Sequence, residues 1–166
     1  RVNAGQPLSA GVGSDGRIVV VGTAKGDVLA FSAADGKALW QAKVSSEILA
    51  PPAVSDDGVA VRSGDNRVFL LDRADGRRKW MYQRATPPLA LRSTAAPVFA
   101  ERYVFVGYPG GKLVALDLKN GAPVWEGAVA LPKGATELER VADIVSLPAI
   151  DGRQVCAVAY QGRVAC

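Results

Sequence analysis

The feature that most constrains the fold of this 166-residue chain is a short motif that occurs three times. In each copy Asp or Asn precedes a Gly, and a Trp follows that Gly by four positions. Trp80 lies 40 positions after Trp40, and Trp125 lies 45 positions after Trp80. Repeats of this length are typical either of β-propeller blades or of helical repeats such as HEAT.

The residues that precede each motif favour strands. Short apolar, Val-rich runs lie before every Asp-Gly or Asn-Gly, and none has the periodicity of a helix. These runs are 17–21 and 28–31, then 59–61 and 68–71, then 103–106 and 113–116. Gly and Asn tolerate positive φ, so Asp-Gly and Asn-Gly close tight turns between antiparallel strands. The sequence therefore predicts an all-β fold of four-stranded antiparallel sheets.

Such a sheet cannot bury both of its faces alone, so the repeats predict a β-propeller in which neighbouring blades cover each other. We expect each Trp to pack between neighbouring blades. The predicted segments are an outer strand of a preceding blade at 1–4, blades over 7–44, 47–84 and 93–128, and an incomplete blade over 143–166.

Composition argues against several functions. The chain has no His, which excludes a Ser-His-Asp triad and His-ligated metal sites within it. The net charge of +4 is spread over turns, so we predict no nucleic-acid surface. No apolar run is long enough to span a membrane. The Asp residues lie in turns, where they bond backbone N–H groups, and nothing completes a Ca²⁺ cage. We therefore predict no catalytic, cofactor-binding or metal-binding residue.

The two cysteines, Cys156 and Cys166, lie on either side of a turn at 160–162. A three-residue loop pairs residue 159 with residue 163, which places the cysteines opposite each other on a hairpin. Cross-strand Cβ atoms are about 4.5–5.5 Å apart, close to disulfide reach. We predict a disulfide, provided that the compartment is oxidising.

The repeat resembles the PQQ-type propeller repeat, which quinoprotein dehydrogenases share with the BamB family of outer-membrane lipoproteins. Two non-repeat segments, 86–97 and 133–144, closely resemble inserts between BamB blades. The resemblance implies an eight-bladed propeller, of which this chain carries about four blades. It also implies a protein at the periplasmic face of the bacterial outer membrane, held there only by an N-terminal lipid anchor that is absent from this chain.

The resemblance also implies a site for BamA, the barrel-inserting subunit of the outer-membrane β-barrel assembly (BAM) machinery. Leu89, Leu91 and Arg92 match the family's Leu-x-Leu-Arg segment, and Asp143 matches the first of two acidic positions. The second position is Val145 here, which puts half of the acidic contact in doubt. Exposed leucines beside an Arg suit a protein interface; the alternative is that the leucines tuck under their own loop.

We therefore predict a non-catalytic scaffold that binds BamA and assists outer-membrane proteins to fold and insert, with unfolded clients as possible partners. The alternative is a propeller fragment of a PQQ-dependent dehydrogenase, and a scaffold of an unrelated pathway also stays open. Two copies of the chain are further predicted to pair and to close an eight-bladed ring.

Overall fold

The computed structural model describes residues 1–85 and 87–166, so Thr86, the first residue of the first inserted segment, lies outside the described residues. The secondary structure within these ranges is β, as the sequence predicts. The chain divides into two compact units, Arg1–Gln83 and Arg84–Cys166.

Two antiparallel sheets of four strands make up the first unit. The first sheet contains, in spatial order, β1 (Gly13–Ser14), β2 (Ile18–Gly22), β3 (Asp27–Ser32) and β4 (Ala38–Lys43). The second contains β5 (Ala53–Ser55), β6 (Gly58–Arg62), β7 (Arg67–Leu71) and β8 (Arg78–Gln83). The two middle strands of each sheet are mostly buried, whereas the outer strands β4 and β8 are largely exposed.

The second unit contains one four-stranded and one three-stranded sheet among its described residues. The four strands are β9 (Val98–Ala100), β10 (Tyr103–Tyr108), β11 (Lys112–Asp117) and β12 (Pro123–Ala128). The three strands are β13 (Ala149–Asp151), β14 (Gln154–Ala159) and β15 (Arg163–Ala165). Ala159 pairs with Arg163, the register that the three-residue loop predicts.

Each four-stranded sheet has the same irregularity between its third and fourth strands. The register shifts between Ala30 and Phe31, and the other two sheets repeat the shift at Leu70/Leu71 and Ala115/Leu116. A bulge of this kind increases the local twist of a strand. The three repeats therefore share this bulge as well as their strands. Hydrophobic alternation alone does not predict the bulge.

Trp40 packs between the two sheets of the first unit, as predicted, whereas Trp125 is 46% exposed and does not show the buried packing predicted for every repeat tryptophan. The Trp40 indole Nε1 donates to the carbonyl oxygen of Arg73 at 2.8 Å. Its ring lies so close to Gly76 that a Cβ there would be 2.5 Å from the ring, and the φ of Gly76 is +74°. Only Gly meets both conditions without strain, so the Gly of one repeat accommodates the Trp of the repeat before it.

A second joint between these sheets lies at Ile48, which is fully buried against Gly22. Its N–H donates to the carbonyl of Thr23, and its own carbonyl accepts from the Ser9 hydroxyl at 2.7 Å. The carbonyl of the preceding residue, Glu47, accepts from the N–H of Gly64 in the second sheet. Backbone and side chain therefore join the two sheets at the same point.

The outer strand predicted at 1–4 is not among the described strands. Val2 instead lies against Gly36. An outer strand needs the edge of another sheet to pair with, so this assignment, like the blade boundaries, stays a prediction.

Candidate protein-binding site in the second unit

The residues predicted to bind a partner lie on the segment that leads into β9. Leu89 is 43% exposed and Leu91 is 36% exposed, and Arg92 is exposed as well. The leucines therefore do not tuck under their own loop. Apolar side chains held partly in solvent next to a cation are the composition expected of an interface anchor.

Asp143 lies beside these residues, but its side chain is turned into the protein. It is 1% exposed, and its Oδ2 accepts from the backbone N–H of Leu91 at 2.6 Å. Its Oδ1 accepts from the N–H of Gly110 at 3.0 Å. The carboxylate thus holds the chain from beneath, and in this conformation it offers a partner no exposed oxygen, contrary to the acidic surface contact that the resemblance implies.

The residues next to Asp143 reproduce the joint of the first unit. Ile144 is fully buried against Gly107, and its N–H donates to the carbonyl of Tyr108. Its carbonyl accepts from the Ser93 hydroxyl at 3.2 Å. Ser93 therefore corresponds to Ser9, and the predicted binding segment reaches the core at the same point as its counterpart in the first unit.

A groove of about 310 Å³ runs beside Leu89. Its lining includes three prolines and four charged side chains: Pro87, Pro109, Pro132, Arg84, Lys112, Arg140 and Glu137. Glu126 forms ion pairs with both Arg84 and Lys112. Hydrogen bonds from these two cations hold the pKa of the Glu126 carboxyl below its ordinary value, so the carboxylate stays ionised and paired with both at neutral pH.

The second inserted segment has an internal set of hydrogen bonds that was not predicted from the sequence. Thr136 Oγ1 accepts from the N–H of Glu139, while Glu139 Oε2 accepts from the N–H groups of Thr136 and Ala135. These bonds lower the pKa of the Glu139 carboxyl. The spacing Thr-x-x-Glu is the sequence signal of such a capping box. The result is a fixed turn that presents Leu138 to solvent.

Cys156 and Cys166 are joined in a disulfide between β14 and β15, with a Cα–Cα distance of 4.0 Å. Cys156 is half-buried and Cys166 is exposed. The cross-link closes the hairpin whose turn follows Ala159, so the second unit contains a covalent restraint in addition to its hydrogen bonds.

Elsewhere, the Asp-Gly and Asn-Gly turns use their acidic or amide side chains locally. Asp35, Asp75 and Asn120 each accept from the backbone N–H two residues on. In the part of the chain that the structure describes, no three His, Cys, Asp or Glu side chains are grouped to hold a metal ion, and no helix could span a membrane. The exposed segment that Asp143 holds, which contains Leu89, Leu91 and Arg92, is a candidate binding site.

Comparison with known proteins points to one family. A family model described as outer membrane protein assembly factor BamB matches residues 1–166. The proteins of that name from Nitrosomonas eutropha and Bordetella pertussis are 52% and 50% identical, over 100% and 96% of this chain. The chain spans only 40% and 41% of their lengths.

Solved structures agree in fold. The crystal structure of BamB from Moraxella catarrhalis matches 98% of this chain with a TM-score of 0.92 and 34% identity, and the match covers 50% of that protein. The quinohemoprotein alcohol dehydrogenase from Comamonas testosteroni matches with a TM-score of 0.69 but only 17% identity. The second likeness is one of fold alone.

Proposed function

The chain belongs to the BamB family of outer membrane protein assembly factors, and we propose that it is part of a non-catalytic scaffold that binds BamA at the periplasmic face of the outer membrane. Its four sheets are PQQ-type blades of a β-propeller, about half of an eight-bladed ring. The whole protein would be held at the membrane by a lipid anchor, and unfolded outer-membrane proteins are candidate clients.

We assign the contact with BamA to Leu89, Leu91 and Arg92. The observation that carries this proposal is the combination of exposed leucines with a backbone fixed from beneath by Asp143. A segment that is already ordered before binding loses less conformational entropy when a partner docks. Asp143 contributes to binding indirectly in this proposal, since it positions Leu91 and Gly110.

Affinity measurements with purified BamA test the assignment. Leu91→Glu places a charge in the apolar contact, and Arg92→Ala removes the cation; each should weaken binding by about 1–3 kcal/mol. Leu39→Glu is the matched control for the first change because Leu39 is 48% exposed on the first unit. Arg77→Ala, in an exposed turn, is the control for the second. Unchanged affinity of both test variants would overturn the assignment.

The alternative is a propeller fragment of a PQQ-dependent dehydrogenase. Its support is the shared fold, whereas the similarity to BamB proteins extends over the inserted segments as well. Mixing the protein with PQQ and Ca²⁺ separates the two functions. Dye reduction and a shift in the cofactor's absorbance would favour the enzyme, and binding of BamA without either would favour the scaffold.

We also propose that two copies of this 166-residue polypeptide pair when it is studied alone. The described part of the fourth sheet has three strands where the other sheets have four, and residues 1–4 of a second copy would supply the missing strand. Light scattering should give a dimeric mass that falls to a monomer when residues 1–4 are deleted. A monomeric mass for the intact polypeptide would contradict the pairing.

A further inference from the structure

The disulfide-linked hairpin is connected directly to the residues that hold the binding segment. The N–H of Tyr160, in the hairpin turn, donates to the carbonyl of Asp143 at 2.8 Å. The N–H of Val145 donates to the carbonyl of Val158 at 3.2 Å, and the N–H of Val158 donates to the Ser146 hydroxyl at 2.9 Å. The hairpin therefore fixes the backbone on both sides of Ile144.

From Asp143 and Ile144 the contacts continue to the binding segment. The Asp143 carboxylate accepts from Leu91 and Gly110, and the Ile144 carbonyl accepts from Ser93. A buried carboxylate can keep two N–H donors only while its own backbone is fixed. Any shift of residue 143 thus changes the position of Leu91.

The disulfide restrains this hairpin at the end away from its turn. It joins Cys156 in β14 to Cys166, the residue that follows β15, at a sequence separation of 10. The cross-link limits how far the two strands can separate, and it therefore also limits movement of the turn that contains Tyr160.

We infer that the Cys156–Cys166 disulfide positions the binding segment through the hairpin, Tyr160 and Asp143. Its role in partner affinity rests on the function proposed above, but its role in ordering Leu91 does not. The two cysteines are positioning residues, since neither touches the segment that contacts the partner.

Amide hydrogen exchange in the full-length protein tests this inference. The protein is compared oxidised, reduced with dithiothreitol, and as the Cys156→Ser/Cys166→Ser variant. Exchange at the N–H groups of Leu91 and Gly110 should become roughly tenfold faster on reduction and return on reoxidation. The serine variant should exchange fast and ignore dithiothreitol. The N–H of Gly76, which donates to Asp72 in the first unit, is the internal control and should not change.

The inference is overturned if Leu91 and Gly110 exchange at the same rate in the oxidised and reduced protein. If the serine variant does not fold, the reduced and reoxidised natural protein still decides the matter. BamA affinity, measured on the same samples, is the separate test of the proposed function. If reduction speeds exchange at Leu91 while even the oxidised protein fails to bind BamA, that result would support the positioning role and contradict BamA as the partner.

Discussion

The two units contain the same joint, and they differ in one residue type that changes what the joint can do. In both, a Ser hydroxyl donates to the carbonyl of a buried Ile, and that Ile packs on a Gly. Two residues before the Ser, the first unit has Pro7 and the second has Leu91. Proline has no N–H, whereas the N–H of Leu91 needs an acceptor.

Asp143 supplies that acceptor. Its counterpart in the first unit is Glu47, because each precedes the joint Ile and offers its carbonyl to the next sheet. The Glu47 carboxylate instead accepts from the neighbouring Ser46 hydroxyl. The comparison shows how one repeated joint serves as a plain connection in the first unit and, with an added buried carboxylate, as the support of an exposed segment in the second.

The largest expected effect comes from removing the Ile of either joint. Ile48 and Ile144 are both fully buried, so Ile48→Ala and Ile144→Ala should each lower the free energy of unfolding by about 3 kcal/mol. Urea unfolding followed by circular dichroism measures the loss, and Leu39→Ala at an exposed position is the control. A loss for Ile144→Ala of less than half that for Ile48→Ala would show that the joints are not equivalent.

The next largest difference in stability between the two units should come from the carboxylates of Asp143 and Glu47. Asp143→Ala leaves the N–H groups of Leu91 and Gly110 without their acceptor and should cost about 2 kcal/mol. Asp143→Asn keeps one oxygen and should cost less. Glu47→Ala should cost below about 1 kcal/mol, because Glu47 is only half-buried. Equal losses for Asp143→Ala and Glu47→Ala in urea unfolding would contradict the distinct role of Asp143.

The smallest expected effect on stability is that of a pH-dependent ion pair in the first unit. Arg73 Nη2 lies 2.6 Å from the Asp15 carboxylate. Partial burial alone would raise the pKa of Asp15, but the N–H groups of Ile18 and Arg17 and the Arg73 guanidinium outweigh it and lower the pKa. A lowered carboxyl pKa stabilises the fold at neutral pH, and this contribution decreases progressively as pH falls below about 4 toward the lowered pKa.

Asp15→Asn should therefore cost below about 1 kcal/mol at pH 7 and less than that at pH 3. Urea unfolding at the two pH values measures the difference, with Asp75→Asn in an exposed turn as the control. A loss that is as large at pH 3 as at pH 7 would rule out the ion pair as its cause.

The strands and turns could be predicted from the sequence because each depends on residues close together in the chain. The packing of Trp40 on residues 33 and 36 positions away could be predicted because its motif is repeated. The role of Asp143 could not be predicted in either way. Its acceptors face backbone N–H groups 52 and 33 residues away, and a backbone donor leaves no side-chain signal in a sequence. The capping box at Thr136 could have been read from its spacing alone.

The positions of Leu89 and Leu91 were likewise predicted only in part. Their composition and the flanking prolines indicated a loop with interface character, and the structure leaves them exposed. What fixes that loop lies in the other inserted segment and in the cysteine hairpin. Those contacts became visible only when segments distant in sequence were brought together in space.

The contact of Trp40 has a consequence for how such a protein grows over evolutionary time. The Trp40 indole donates to a backbone carbonyl and packs on Gly76, and the repeated sequence motif places both a Trp and such a Gly in every copy. A gene duplication that copies one repeat would copy both halves of this connection at once. New repeats could then join the array without a second mutation to make them fit, because the indole bonds the backbone of residue 73 and not its side chain.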